Sequence, residues 1–171
     1  MNKNIMIPLS KKGKNAGLYE TIVSSKDEDL TEWNWSVYKN VRNSYAIKVK
    51  RTKEGFVTSY MHRIILERKL GRELGSGEQV DHTNGDGLDN RRENLRLATN
   101  AENARNRSAQ ENNTSGYKGV SFDKKRKKWV AQLWFNNKKV LFSRHNTPEE
   151  AHEAYKKAAC KYHNAFSNFG D

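Results

Sequence analysis

The sequence predicts an α+β chain built from small modules, and three observations carry that prediction. Only 35% of the 171 residues are hydrophobic and the mean hydropathy is −1.04, so any core is small and compact modules fit better than one large globule. The strand-like runs with period-two alternation are short, and Gly, Asn and Lys stretches separate them. Three other segments carry the chemistry of helix starts and stops.

Taken in order, Ile5-Met6-Ile7 and Leu18 to Val23 resemble short strands on either side of Lys11-Lys12-Gly13-Lys14. Trp33 and Trp35, then Tyr45, Ile47 and Val49, follow a period of two, as a half-buried strand does. A hairpin from Tyr45 to Tyr60 would turn near Lys53-Glu54-Gly55. Met61 to Leu70 reads as a helix with Ile64, Ile65 and Leu66 on its apolar side and Gly71 as its C-terminal cap. Gln79-Val80-Asp81-His82 then leads into Thr83 to Asn90, so dense in turn formers that it must be a loop. Leu95-Arg96-Leu97-Ala98 can form a second strand, and Thr99 with Glu102 is a capping-box pattern that starts a helix at Asn100.

Residues 106–115 have almost no apolar content and read as a linker. Beyond them, Tyr117 to Phe122, Trp129 to Phe135 and Lys139 to Phe142 are strand-like, separated by the run Lys124-Lys125-Arg126-Lys127-Lys128 and an Asn136-Asn137-Lys138 turn. Thr147, Pro148 and Glu150 open a final helix, whose stripe of Ala151, Ala154, Tyr155, Ala158 and Tyr162 would lie close against a three-stranded sheet. The expected organisation is a β-rich N-terminal support (1–60), a strand–loop–strand–helix unit (61–107), a linker (108–115) and a sheet-plus-helix domain (116–171).

Charge narrows the partner. There are 32 Lys+Arg against 20 Asp+Glu, a net charge of +12, and the pI is near 9.8. Such an excess points to a polyanion, because neutralised phosphates release counterions and drive association. Four Trp, seven Tyr and six Phe argue against a wholly disordered chain. Cys160 is the sole cysteine, so an internal disulfide and a cysteine-based structural zinc site are both excluded. No apolar stretch suits a signal peptide or a membrane span, and a cytosolic protein without a membrane partner is expected.

Hydrolysis of a phosphodiester needs an activated water, a cation on the phosphoryl oxygens and help for the leaving oxygen. The pair Asp81-His82 can supply the first two, although strand geometry turns neighbours to opposite faces, so only a twist or a strand end lets both serve one site. Asn84, Asp86, Asp89 and Asn90 read as turn formers rather than ligands, and His62 as a helix-start packing residue or phosphate contact.

The run from His62-Arg63 to Asn106, with Asp81-His82, Glu93-Asn94-Leu95 and Glu102-Asn103 in register, resembles the HNH endonuclease family, in particular its phage- and intron-encoded homing branch. The resemblance implies a ββα-metal unit. His82 matches its general base, and Asn94 the residue whose side-chain carbonyl orients that imidazole. Asp81 and Asn103 match the ligands of one divalent cation; these hard oxygen donors suit Mg²⁺, with Mn²⁺ as a substitute, better than Zn²⁺. The zinc-binding cysteines that brace some HNH proteins are missing here, and no structural zinc is expected. Beside such a centre, Arg91, Arg92, Arg96, Arg105 and Arg107 are candidate phosphate contacts.

The segment Ser115-Gly116-Tyr117-Lys118-Gly119-Val120, Trp129 to Leu133, Pro148 to Tyr155 and Asn168-Phe169 resembles the AP2 (ERF-type) DNA-binding domain. That family implies a three-stranded antiparallel sheet, backed by one helix, that enters the major groove. Alternation would turn Trp129, Ala131, Leu133, Val140 and Phe142 toward the helix, and Val130, Gln132, Trp134, Lys139 and Leu141 outward. Lys118, Lys128 and Lys139 match basic contact positions of the plant proteins, and Lys124, Lys125 and Arg126 are candidate phosphate contacts. Ser121, Gln132 and Trp134 depart from the plant pattern, so its base preference does not carry over.

Together the two resemblances imply a metal-dependent homing-type endonuclease. It would be encoded by a phage or mobile element and act on double-stranded DNA in a bacterial cytoplasm without a small-molecule cofactor. A monomer would nick one strand and a homodimer could cut both. The alternative is a non-catalytic DNA-binding regulator on the same scaffold. An RNA-binding role is disfavoured because the A-form major groove is too narrow for a sheet.

Overall fold

A computed structural model describes residues 3–10, 12–41, 43–100, 102–103, 113–163 and 169. The chain is a mixed α+β protein with several small antiparallel sheets and few helices. It divides into two compact units, Met1–Asn100 and Ala101–Asp171. Among the described residues, no helix is long and apolar enough to cross a membrane.

In the first unit, β1 (Asn4–Leu9) pairs antiparallel with β2 (Tyr19–Ser24). A 3₁₀ segment, Ser25–Glu32, follows. Then β3 (Ser36–Lys39), β4 (Ser44–Thr52) and β5 (Gly55–Tyr60) form a sheet in the order β3-β4-β5, with the β4–β5 turn at Lys53-Glu54 as expected. Helix α1 (Met61–Leu70) stops at Gly71, which adopts the left-handed conformation (φ 67°) that a side chain would resist. Finally β6 (Glu78–His82) pairs antiparallel with β7 (Leu95–Thr99).

One core draws on every one of these elements except β5, whose residues are exposed or half-buried. Ile7, Leu9, Val23, Leu30, Trp35 and Ala46 from residues 1–60 are buried together with Met61, Ile65, Leu66, Leu74 and Leu95. Trp33 and Trp35 are not strand residues. Trp33 stacks on Trp35, whose indole N–H donates to Leu30 O at 2.8 Å, and Lys48 Nζ caps the Trp33 ring at 3.8 Å. In β4 it is Ala46 that is fully buried, while Tyr45 and Ile47 are half-buried and Val49 is exposed. The larger odd-numbered residues had pointed to the opposite face as the core side.

A buried ion-pair cluster fastens the 3₁₀ segment to the β6–β7 connection. Asp27 is fully buried and takes a bidentate contact from Arg92 (Nε–Oδ2 2.6 Å, Nη2–Oδ1 2.8 Å). Arg68 of α1 bridges Asp27 and Asp29. The backbone N–H of Arg92 donates to Ser24 Oγ at 3.0 Å, and Lys69 Nζ donates to Arg92 O and Leu95 O.

In the second unit, β8 (Val120–Asp123), β9 (Lys128–Phe135) and β10 (Lys138–His145) form an antiparallel sheet in the order β10-β9-β8, and α2 (Pro148–His163) packs on it. Val120, Ala131, Leu133, Ala151, Tyr155 and Ala159 make the core. Asn136 and Asn137 both have positive φ, the two-residue turn that matches strand twist. At the start of α2, Thr147 Oγ1 accepts from the Glu150 N–H, while Glu150 reaches back to the Asn146 N–H. Gly119, also at positive φ, lies so close to the Tyr155 ring that a Cβ would collide with it.

A bulge corrects the expected faces of β10. Lys139 opposes Trp134, but Leu141 opposes Leu133 and Phe142 opposes Gln132, so one extra residue sits between Lys139 and Leu141. Leu141 therefore joins Val140 against the core, and Phe142 turns outward with 48% exposure. One inserted residue reverses every side chain that follows it. Val130 does lie outside the helix-facing core, yet it is buried, because it is the middle member of the cross-strand row Ser121–Val130–Arg144.

Replacing Asp27 by Ala strips Arg92 and Arg68 of their shared buried acceptor. The expected loss of stability is about 3 kcal/mol, read as a lower urea midpoint of the full chain. A loss of about 1 kcal/mol or less, the size typical of a surface pair, would show that the cluster does not fasten the unit.

Candidate functional site

Asp81 and His82 are the last two residues of β6, opposite Arg96 and Leu95 of β7. The connection between the strands is a dense polar loop. Thr83 N donates to Asn94 O (2.9 Å), and Asn84 N donates to Asn94 Oδ1 (3.1 Å). Asn94 Nδ2 donates to Asn84 Oδ1 (3.0 Å) and Asp89 O (2.7 Å), and Asn84 Nδ2 to Asp89 Oδ2 (2.8 Å). Asn84, Asp89 and Asn94, short polar residues that mark this segment as a turn, thus spend donors and acceptors on one another and on the loop's own backbone.

Two N-terminal elements hold the loop from outside. Ile22 N donates to Leu88 O (3.0 Å) and Asn90 N to Ile22 O (2.8 Å), a parallel bridge from β2. Asn43 Nδ2 donates to Gly85 O (2.8 Å), and Gly87 N to Asn43 Oδ1 (3.0 Å). Gly87 lies so tightly on the Ser44 carbonyl and the Tyr45 ring that any side chain would overlap them.

His82 is buried among aromatic rings, with the centroids of His62 at 5.2 Å and Tyr45 at 6.1 Å. Its Nε2 lies 3.2 Å from Asn90 Oδ1. Burial lowers its pKa, opposed by the Asn90 hydrogen bond and the charges of Asp81, Asp86 and Asp89. His62 is driven further, to about 3, by burial and by its neighbours His82 and Arg63; its Nδ1 is buried with no hydrogen-bond partner among the described residues. Asp81 is 3% exposed, and its Oδ2 accepts from Arg96 Nε (2.7 Å) and Nη2 (2.6 Å).

Asp81, His82 and Asn94 therefore lie within one strand–loop–strand element. The amide oxygen beside the imidazole in this structure is that of Asn90, while the Asn94 amide braces the loop. Asn103 is helical and half-buried in the second unit. Arg91 is committed to Asp89 and Glu93, Arg92 to Asp27, and Arg96 to Asp81. Arg105 and Arg107 lie outside the described residues. Asn90, Thr21 and Tyr45 had no expected role here. Asn90 was hidden among turn formers, and the other two lie far upstream with no motif to mark them.

Asp81 offers a cation a carboxylate oxygen kept from solvent. Such a hard donor fits a divalent cation that keeps water and phosphate oxygens as its remaining ligands. Among the described residues, no group of three or more His, Cys, Asp or Glu gathers as a metal site.

On the second unit, the outer face of the sheet carries Trp134 (56% exposed), Phe142 and exposed Gln132. Lys139 Nζ lies 5.1 Å from the Trp134 ring and 4.7 Å from the Phe142 ring, with the Arg144 guanidinium 4.8 Å from Phe142. Lys124 and Lys125 are exposed in the β8–β9 turn. Arg126 is tied to Asp123, Lys128 donates to Asn146, and Lys118 is half-buried, its pKa lowered to about 8 by desolvation.

Comparison with known proteins matches residues 59–105 to the HNH endonuclease family and residues 115–165 to the AP2 domain. The chain thus has the HNH–AP2 architecture, a nuclease-type domain followed by a DNA-binding domain type. It is 36% identical over 69 residues to "Protein 3.8" of Escherichia phage T7, a match covering 40% of this chain and 57% of that protein. No solved structure matches significantly.

Because burial holds both imidazoles uncharged, the unfolded chain takes up protons that the folded unit refuses. The His62 contribution to stability is fully present above pH 6.5 and is lost as the pH drops from 6.5 toward 3, at up to about 1.4 kcal/mol per pH unit. His62→Gln is expected to flatten the dependence of unfolding free energy on pH in that window. Parallel profiles for the variant and the parent protein would exclude His62 as the linked group.

Proposed function

We propose that the protein is a divalent-metal-dependent homing-type DNA endonuclease. In this reading His82 is the general base that takes a proton from the attacking water, and the AP2-like sheet holds the duplex. The His82 environment carries the proposal: burial keeps the imidazole in its proton-accepting form, and a buried carboxylate stands next to it in the sequence. Asp81 is the proposed metal ligand of the first unit, and Asn103 is its proposed companion on the family motif alone. A divalent cation there would supply Lewis-acid stabilisation of the phosphoryl oxygens. Mg²⁺ is the proposed ion, with Mn²⁺ as a substitute.

For DNA binding, Lys139, Trp134 and Gln132 on the outer face of the sheet are the strongest candidates, with Lys124 and Lys125 in the adjoining turn. An exposed indole and phenyl ring flanked by cations suit a groove surface, where the rings pack on sugars and thymine methyls and the cations meet phosphates. Arg91, Arg92 and Arg96 contribute through the ion pairs that shape the first unit. A phage homologue supports a phage or mobile-element origin.

One observation favours a second reading, a non-catalytic DNA-binding regulator. Arg96 already satisfies the Asp81 carboxylate, as it would in a scaffold that had no use for a metal. Cleavage assays on plasmid and phage DNA separate the two. The nuclease reading expects Mg²⁺-dependent cleavage that EDTA abolishes and that His82→Ala reduces by roughly 10²- to 10⁴-fold. Retention of DNA with no cleavage across many substrates would establish the regulator instead.

Binding to duplex DNA should weaken linearly with salt on logarithmic axes, and Lys139→Ala should reduce that slope by about 1. An unchanged slope in the variant would remove Lys139 from the phosphate-contacting set.

A further inference from the structure

Thr21 and Asn90 form a directed hydrogen-bond chain that ends on His82. Thr21 Oγ1 lies 2.6 Å from Leu88 O, Asn90 Nδ2 lies 2.7 Å from Thr21 Oγ1, and Asn90 Oδ1 lies 3.2 Å from His82 Nε2. Thr21 and Asn90 are both fully buried. Their backbones are locked to one another as well, since Ile22 and the segment Leu88 to Asn90 exchange two main-chain hydrogen bonds.

The direction of the chain follows from its first member. A backbone carbonyl only accepts, so at 2.6 Å the Thr21 hydroxyl must donate its one proton to Leu88 O. The Met61 sulfur, 3.9 Å away, is a poor competitor. With its proton spent, the hydroxyl can only accept from Asn90, which fixes the amide with Nδ2 toward Thr21 and Oδ1 toward His82. An amide oxygen only accepts, so His82 Nε2 must carry the proton. The opposite amide orientation would set the hydroxyl and carbonyl lone pairs against each other in a buried space.

We infer that Thr21 and Asn90 are positioning residues that fix His82 as its Nε2–H tautomer, so that Nδ1 is the nitrogen that accepts the proton from water. This rests on the assignment of His82 as general base. It gives β2, which lies outside the segment matching the HNH family, a share in the catalytic centre. The tautomer of a neutral histidine is set by the bond its other nitrogen makes, and here that bond is traced back to a strand 69 positions upstream of Asn90.

The test reads the tautomer directly. In full-length protein with ¹⁵N-labelled histidine at mildly alkaline pH, the His82 imidazole, assigned by its loss in His82→Ala, should show a protonated Nε2 and an unprotonated Nδ1. Thr21→Val, which keeps shape but removes the hydroxyl, should produce a mixture of tautomers, and Thr21→Ser should restore the single form. Cleavage by Thr21→Val should fall roughly 10- to 100-fold, the usual size of such an outer-shell loss, with kcat affected and KM preserved. A parent protein with its proton on Nδ1, or a folded Thr21→Val variant with an unchanged tautomer, would overturn the inference. If Thr21→Val fails to fold, the parent spectrum still decides. If the protein cleaves no DNA, the nuclease reading fails while the spectra still judge the hydrogen-bond chain.

Discussion

The first unit depends on the seam between β2 and the β6–β7 connection. Ile22 bonds the loop through both its N–H and its C=O, as a short piece of parallel sheet would. Around it, Thr21 reaches Leu88 and Asn90, Ser24 accepts from the Arg92 N–H, and Asp27 takes the Arg92 guanidinium. A twelve-residue polar loop has little apolar area of its own to hold it in one shape. It is ordered because its backbone groups are shared with a strand that the core already fixes.

That arrangement explains how so many polar groups can be buried at once. An uncompensated buried carboxylate would be strongly destabilising, and a half-satisfied network is worse than an apolar core. Here Asp27 has Arg92 and Arg68, Asp81 has Arg96, and Asp89 has Arg91 and Asn84. The Asp27 and Asp81 pairs also tie one element to another, while Arg91 braces the loop within itself. Three residues expected to meet phosphate are thereby spent on building the site, and the uncompensated positive charge lies elsewhere, including on exposed lysines of the second unit.

The sequence made legible what local chemistry decides. Gly71 ending α1, Thr147 and Glu150 opening α2, and the hairpin turn at Lys53-Glu54 are each specified within a few residues, and each is where the pattern put it. The order of strand, loop and strand around Asp81-His82 was equally readable, because the turn formers fill the loop. Misreadings arose where a distant contact overrides local pattern. Alternation assigned Phe142 inward, but a one-residue bulge near Val140 reverses it. Trp33 and Trp35 alternate like strand residues, yet they stack on each other, with Trp35 held by its bond to Leu30. For the site, the family motif marks Asp81, His82 and Asn94, but no spacing rule could connect Thr21 to Asn90. That link exists only because β2 and the loop share a backbone seam.

The two units solve opposite problems with the same residue types. In the first, aromatic rings and charges are turned inward: Tyr45, His62 and His82 crowd together, and the arginines answer buried carboxylates. A group meant to accept a proton benefits from such surroundings, because desolvation keeps it neutral and packing holds its orientation. In the second, the bulge puts Phe142 beside Trp134 on the open face, with Lys139 between the rings. The alanine-lined helix leaves that face uncovered by packing close on the other side. Exposing two large rings forgoes burial energy that the small core could have used. Lys139 and Arg144 lie over the same rings, so exposed aromatic surface and positive charge coincide on this face.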